Sequence, residues 1–273
     1  MTGDFTIGQF FPGNSALHRL DARMKFVLTF VFIALIFCAF NFASLLLIVL
    51  FLVFFVMISG ILVKTILKSV KPIIPIIIFT AVINAFSVGG RVLLRFWIFK
   101  ITAEGLSTAA FMSVRVTCLI VASSLLTYTT SPTRLTDAIE KLLTPLKWIR
   151  LDVHSLAMMM TIALRFIPTL VEDIEKIMNA QKARGADMES GGLIRRAKAL
   201  VPVLIPLFVS SIRRAYELAF AMECRCYNGG EGRTSFKQMR LKPRDLAALG
   251  VMAMFTGMLV ASNIFFKFLS LKP

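Results

Sequence analysis

Acidic residues, histidine, tyrosine and tryptophan are all scarce in this chain. Its 273 residues hold 15 Asp and Glu against 31 Lys and Arg, 3 Tyr and 2 Trp against 25 Phe, and 2 His. The four cysteines show no pattern of paired bridges. Cys38 and Cys118 fall inside apolar runs, and Cys224 and Cys226 are too close for an easy mutual disulfide. The Cys-x-Cys pair would be half of a metal site. No second cysteine or histidine cluster completes it, since His18 and His154 stand alone. Reduced, structural cysteines and no bound metal or cofactor are expected. The Gly-x-x-x-x-Gly-Lys-Ser/Thr loop that cradles nucleotide phosphates is missing. Gly229-Gly230-Glu231-Gly232 lacks both the lysine and a preceding strand, and reads as a flexible helix end. Neither His-Glu-x-x-His nor a nucleophile elbow occurs, so no enzyme site is expected.

Apolar residues dominate what is present. They make up 57% of the chain, and the mean hydropathy is +0.79. Soluble domains hold roughly 45–50% apolar residues. The chain therefore reads as an integral membrane protein. The first twenty residues lack an apolar core of the kind a removable signal peptide carries, so the first apolar run is expected to insert and stay. The net charge of +16 sits in clusters between apolar runs. Anionic headgroups and a positive-inside topology explain that placement, and nucleic acid is not an expected partner.

A bilayer crossing takes about 20 apolar residues in a helix. Runs at 26–40 and 42–63, joined at Asn41, form an expected antiparallel hairpin. Lys64, Lys68 and Lys71 follow as a basic anchor. A third run covers 73–88, with Pro75 making its start irregular. A linker with Gly89, Gly90, Arg91, Arg95 and Lys100 leads to a fourth run at 104–129, and a last one covers 246–266. Three regions result: a membrane domain 1–129, an interfacial and cytoplasmic region 130–244, and a C-terminal span 245–273. The fold class is all-α, a polytopic membrane protein with about five spans and long amphipathic helices between the fourth and the last.

Residues 130–245 carry 19 Lys and Arg against 12 Asp and Glu, yet keep helical rhythm. Leu156, Met160, Ala163, Ile167, Leu170, Ile174, Ile177 and Gln181 step by threes and fours, and Ile212, Ala215, Ala219 and Met222 repeat the pattern. Such helices lie partly in the membrane and partly in the cytoplasm. Charge places the N-terminus, the lysine turn and this region inside, and the 89–103 linker outside.

By these boundaries, no carboxylate or histidine lies deep in a span, which argues against an ion-coupled transporter. Arg115 alone is well inside one. It either meets a partner or a buried acid, or packs against the charged amphipathic helices. Two arginines remain at the ends of the amphipathic helices: Ala183-Arg184-Gly185 and Cys224-Arg225-Cys226. A basic residue followed by glycine is an ordinary helix C-terminus. Small neighbours also let a helix end approach another surface, where a guanidinium can fork onto a carboxylate. Two such triplets in one region favour a docking surface. A stand-alone permease or channel is the alternative, for which Asn84, Ser87 and Ser113 are the few polar candidates.

The segment Gly13-Asn14-Ser15-Ala16-Leu17-His18-Arg19-Leu20-Asp21-Ala22-Arg23-Met24-Lys25 resembles Gly-x-Ser-x-Leu-His-x-Leu-Asp-Pro-Arg-x-Lys, the opening of the transmembrane T component of energy-coupling factor transporters. Ala22 stands where that family has proline. Thr130-Ser131-Pro132, Arg165-Phe166-Ile167-Pro168 and Ala183-Arg184-Gly185 are similar to further family signatures. Cys224-Arg225-Cys226 occupies the second Ala-Arg-Gly position with both neighbours changed. The resemblance runs nearly the full chain in order. It implies a non-catalytic subunit of the cell membrane that binds neither ATP nor substrate. Its implied partners are two cytoplasmic ATP-binding-cassette ATPases, docked on the two arginine-ended coupling helices, and a substrate-binding membrane S component. The implied cargo is a vitamin or a transition metal.

Overall fold

In a computed structural model, residues 10–89, 91–96, 99–145, 153–186, 192–229 and 242–270 are described. Gly230 to Gly232 of the glycine cluster lie outside them. The chain divides into two compact units. The first comprises 1–138 and 238–273, the second 139–237.

The first unit is built on helices α1 (Ala22–Phe37), α2 (Phe42–Ser59), α3 (Val63–Val70), α4 (Ile74–Ser87), α5 (Ala103–Thr129) and α9 (Pro243–Ser270). Helix α5 is the hub, against which α1, α2, α3 and α4 each pack, while α9 packs on α1 and α2. The core gathers Phe32, Ile36, Ile48, Cys118, Phe255 and Leu259. Phe51 stacks on Phe255 with ring centres 3.9 Å apart.

Local chemistry sets the helix ends. Asp21 caps α1 by accepting the Arg23 amide at 3.0 Å, so α1 begins four residues before its apolar run. Gly60, in the left-handed region at φ 69°, ends α2. The lysine turn is itself helical. Helix α3 passes through one 3-10 turn, Lys71–Ile73, into α4, with Pro72 and Pro75 in opening turns where a missing amide costs little.

The linker after α4 folds into an antiparallel hairpin, β1 (Val92–Phe96) with β2 (Phe99–Thr102), small beside the helices. Thr102 ties its base. Its hydroxyl donates to the Val88 carbonyl at 2.6 Å and accepts the Gly105 amide at 3.0 Å. Gly105 marks the closest approach of α5 to α4, since a Cβ there would sit 2.7 Å from the Ala85 carbonyl oxygen.

Two polar fasteners hold this unit. At the start of α9, the buried Asp245 accepts the Lys242 amide at 2.8 Å, as a capping-box residue does, and also the Asp21 amide at 2.9 Å. Nearby, Lys25 is buried and donates to the Thr129 carbonyl at 2.9 Å. His18 donates from Nε2 to the Phe11 carbonyl at 3.0 Å and accepts the Ser15 hydroxyl at Nδ1, 2.7 Å away. Burial lowers the His18 pKa, the Phe11 carbonyl opposes that shift, and the Lys25 charge adds to it.

The second fastener clamps the α1–α2 corner. Arg115 donates to the Ala39 carbonyl and lies over the Phe111 ring at 4.7 Å. Asn263 donates to the Cys38 carbonyl at 2.8 Å and accepts from Ser44 at 2.6 Å. Carbonyls at the end of α1 have no helical partner, and these side chains supply one. Arg115 is thus a corner clamp within its own unit. Among the described residues of that unit it meets no acid.

The second unit holds α7 (Val153–Ala183) and α8 (Leu193–Glu223), which pack against each other. Helix α6 (Pro132–Leu143) contains the boundary between the units.

Among the described residues, six helical segments are long and apolar enough to cross a membrane: Phe42–Ser59, Val63–Ser87, Ala103–Thr129, Val153–Ala183, Arg196–Glu223 and Pro243–Phe265. The set differs from the five expected spans. The 16-residue α1 rises only about 24 Å, short of the roughly 30 Å hydrocarbon core. Helices α7 and α8, charged as they are, each contain an apolar window long enough. The chain is an all-α, multi-pass membrane protein.

Candidate docking site at two arginine-tipped helix ends

Helix α7 ends at Ala183 and α8 at Glu223, and both close in the same way. At the first end, the Ala186 amide reaches back to the Gln181 carbonyl and the Gly185 amide to Lys182, each at 3.0 Å. At the second, the Tyr227 amide reaches Met222 at 3.0 Å and the Cys226 amide reaches Glu223 at 2.8 Å. This pair of bonds is the Schellman closure, which needs a left-handed residue at its turn. Gly185 supplies it at φ 85° and Cys226 at φ 54°. Cys226 is the one non-glycine among the described residues with a positive φ. In both ends the arginine stands immediately before the left-handed residue.

Ala183, Arg184 and Gly185 are exposed, and so are Cys224, Arg225 and Cys226. Neither guanidinium has a partner among the described residues. Both cysteines of the triplet are free thiols.

The relative course of α7 and α8 follows from named contacts. Ala157 and Ile162 of α7 line one cavity with Leu218 and Met222 of α8. Farther along α7, Asp173 pairs with Arg214, earlier on α8, at 2.9 Å. The helices therefore run past each other in opposite senses. The Arg214 guanidinium also lies 5.9 Å from the Phe166 ring centre. Arg184 follows Asp173 by eleven residues, and Arg225 follows Arg214 by eleven. At 1.5 Å per residue, each arginine lies roughly 16 Å beyond the ion pair, on opposite sides of it. The two tips are the far ends of two equal arms.

Sequence reading placed both triplets at helix ends. The cross-brace between the arms was missed, although Glu172-Asp173 and Arg213-Arg214 stand at matching distances before the two triplets. Also missed was the cavity beside Arg225. Its volume is about 380 Å³, and its described lining includes Glu140, His154, Thr161, Met222, Arg225 and Tyr227. Among the described residues no group of three or more His, Cys, Asp or Glu is arranged to hold a metal ion.

Residues 13–236 match the family model of CbiQ, described as a cobalt transport protein. The chain is 50% identical to the energy-coupling factor transporter transmembrane protein EcfT of Ruminiclostridium cellulolyticum, over 97% of its own length and 100% of that protein. It is 48% identical to the protein of that name from Thermosediminibacter oceani, over 97% and 99% of the two chains. Identity to the Clostridium kluyveri protein is 50%, over 91% and 93%. A match of this extent shows the family: the chain belongs to the CbiQ family and is a transmembrane component of an energy-coupling factor transporter.

Proposed function

We propose that this chain is the non-catalytic coupling scaffold of an ATP-driven importer of the cell membrane. Its two arginine-tipped helix ends dock two cytoplasmic ATP-binding-cassette ATPases, one on each tip. The observation that carries this reading is the pair of like-built, exposed arginine ends on opposite sides of one ion pair. Two equal arms suit two separate partners of similar kind. Positive charge at each tip suits a carboxylate-lined groove, where a forked guanidinium bond is strong.

Both arginine tips lie on the cytoplasmic side, with α7 and α8 running along that membrane face rather than through it. Motion of the ATPases drives the arms, and the arms move an S component that carries the cargo. Apolar side chains exposed along α8, including Leu200, Leu204, Ile205, Phe208 and Phe220, support such a membrane neighbour. Cargo identity resides in the S component, and vitamins or transition metals are the expected classes.

The test is to express Arg184→Glu/Arg225→Glu with the ATPases and an S component. Loss of ATPase co-purification together with loss of coupled uptake is the expected result. Normal assembly and uptake would overturn the docking role. Solute flux through liposomes holding this chain alone would establish the permease alternative instead.

A further inference from the structure

The cavity beside Arg225 has a chemistry that its own walls leave incomplete. Its apolar side comes from Ala157, Met158 and Ile162 on α7 and from Leu218 and Met222 on α8. Its polar side holds His154 and Glu140, whose Nδ1 and Oε1 lie 3.1 Å apart. A carboxylate oxygen only accepts, so Nδ1 carries the proton and donates. In the neutral ring Nε2 is then left as an acceptor. That atom is shielded from solvent and has no hydrogen-bond partner among the described residues. A buried polar atom without a partner is unfavourable. Arg225, the cavity's cation, has donors and no partner among the described residues. The empty position therefore calls for three things at once: an acceptor for Arg225, a donor for His154 Nε2, and apolar bulk for the α7–α8 side.

A peptide segment meets all three. A side-chain carboxylate or a main-chain carbonyl serves Arg225, an amide N–H serves His154, and an aliphatic or aromatic side chain fills the apolar part. A cavity of about 380 Å³ is in the size range of sites that bury a ligand group. We infer that this cavity is a socket which receives an apolar side chain, carried beside a carboxylate, from the ATPase docked at the Arg225 arm. The inference rests on the docking role proposed above and adds to it. Contact at this arm runs in both directions: the arginine reaches into the ATPase, and the ATPase reaches back into the chain.

The test measures binding of the purified ATPase pair to the full chain in lipid nanodiscs, beside the parent. Thr161→Trp fills the socket from an exposed position of α7. His154→Phe keeps ring size and removes the orphan acceptor. Each is expected to weaken ATPase binding about tenfold, as loss of a buried interface anchor does. Thermal stability of the unbound chain gives an independent readout. It is expected to hold for Thr161→Trp and to change little for His154→Phe, where losing the unpartnered Nε2 offsets the loss of the hydrogen bond to Glu140. Arg225→Glu, run alongside, separates the two claims. If Arg225→Glu weakens binding while both socket variants bind within twofold of the parent, the socket inference is overturned and the arginine docking stands. If Arg225→Glu leaves binding unchanged, the docking role itself fails. If Thr161→Trp does not fold, His154→Phe alone decides, with the same two outcomes.

Discussion

The two arginine ends share one backbone and differ in the residue that turns it. Gly185 adopts the left-handed turn without a Cβ, whereas Cys226 adopts it with one. A left-handed conformation costs an L-residue about 1–2 kcal/mol relative to its usual state, and glycine almost nothing. The bonds that close the turn are the same at both ends, within 0.2 Å. So the geometry of the tip is maintained even where the residue resists it. The difference teaches that the arginine's placement depends on the turn, and that sequence identity of the neighbours matters less. A second difference is the cavity that Arg225 helps to line.

Charge reversal is the strongest way to break the comparison. Arg184→Glu and Arg225→Glu, made singly, are each expected to lower ATPase binding about tenfold or more, since arginines dominate interfaces of this kind. Uptake assays and co-purification check it. Equal losses support equal arms, and a loss at one end only would mean that a single tip docks.

Gly185→Ala comes next. It puts a Cβ on a residue at φ 85° and is expected to destabilise the end of α7 by about 1–2 kcal/mol. Hydrogen exchange of the Gly185 and Ala186 amides reads this directly. Asp173→Ala acts on both arms alike. It removes the carboxylate that meets Arg214 at 2.9 Å. Because both side chains are partly exposed, the expected cost is about 1 kcal/mol or less. Protection should fall on both helices together, and a fall confined to α7 would refute the brace. Cys226→Gly is the smallest. It relieves the strained turn but adds freedom to the unfolded chain, leaving a gain of at most about 0.5 kcal/mol. The sign is the test: a gain at 226 and a loss at 185.

Sequence carried four of the five expected spans and the Arg184 tip because each rests on a local rule, and the Arg225 tip, with no glycine after it, because its helical rhythm stops there. A run of apolar residues needs a helix in lipid, and glycine after a basic residue marks a helix end. The features it hid depend on partners far along the chain. Asp245 is an ordinary first-turn acid until its second oxygen meets the Asp21 amide, 224 residues away. Arg115 reads either as meeting a partner or a buried acid or as packing against the amphipathic helices, and its bond goes to the Ala39 backbone carbonyl just past the end of α1. The hairpin at 92–102 was read as a linker, because its basic residues and short length gave no alternating pattern to follow. Cys226 showed no sign of its left-handed turn, since the residue type argues against it.

The central claim is one ATPase for each tip. Photo-crosslinking residues placed separately at positions 184 and 225 test it in the assembled complex, with the two ATPases distinguished by size or tag. Each position is predicted to crosslink to an ATPase, and the two positions to different copies. Crosslinks from both positions to the same copy, or to neither, would contradict the account.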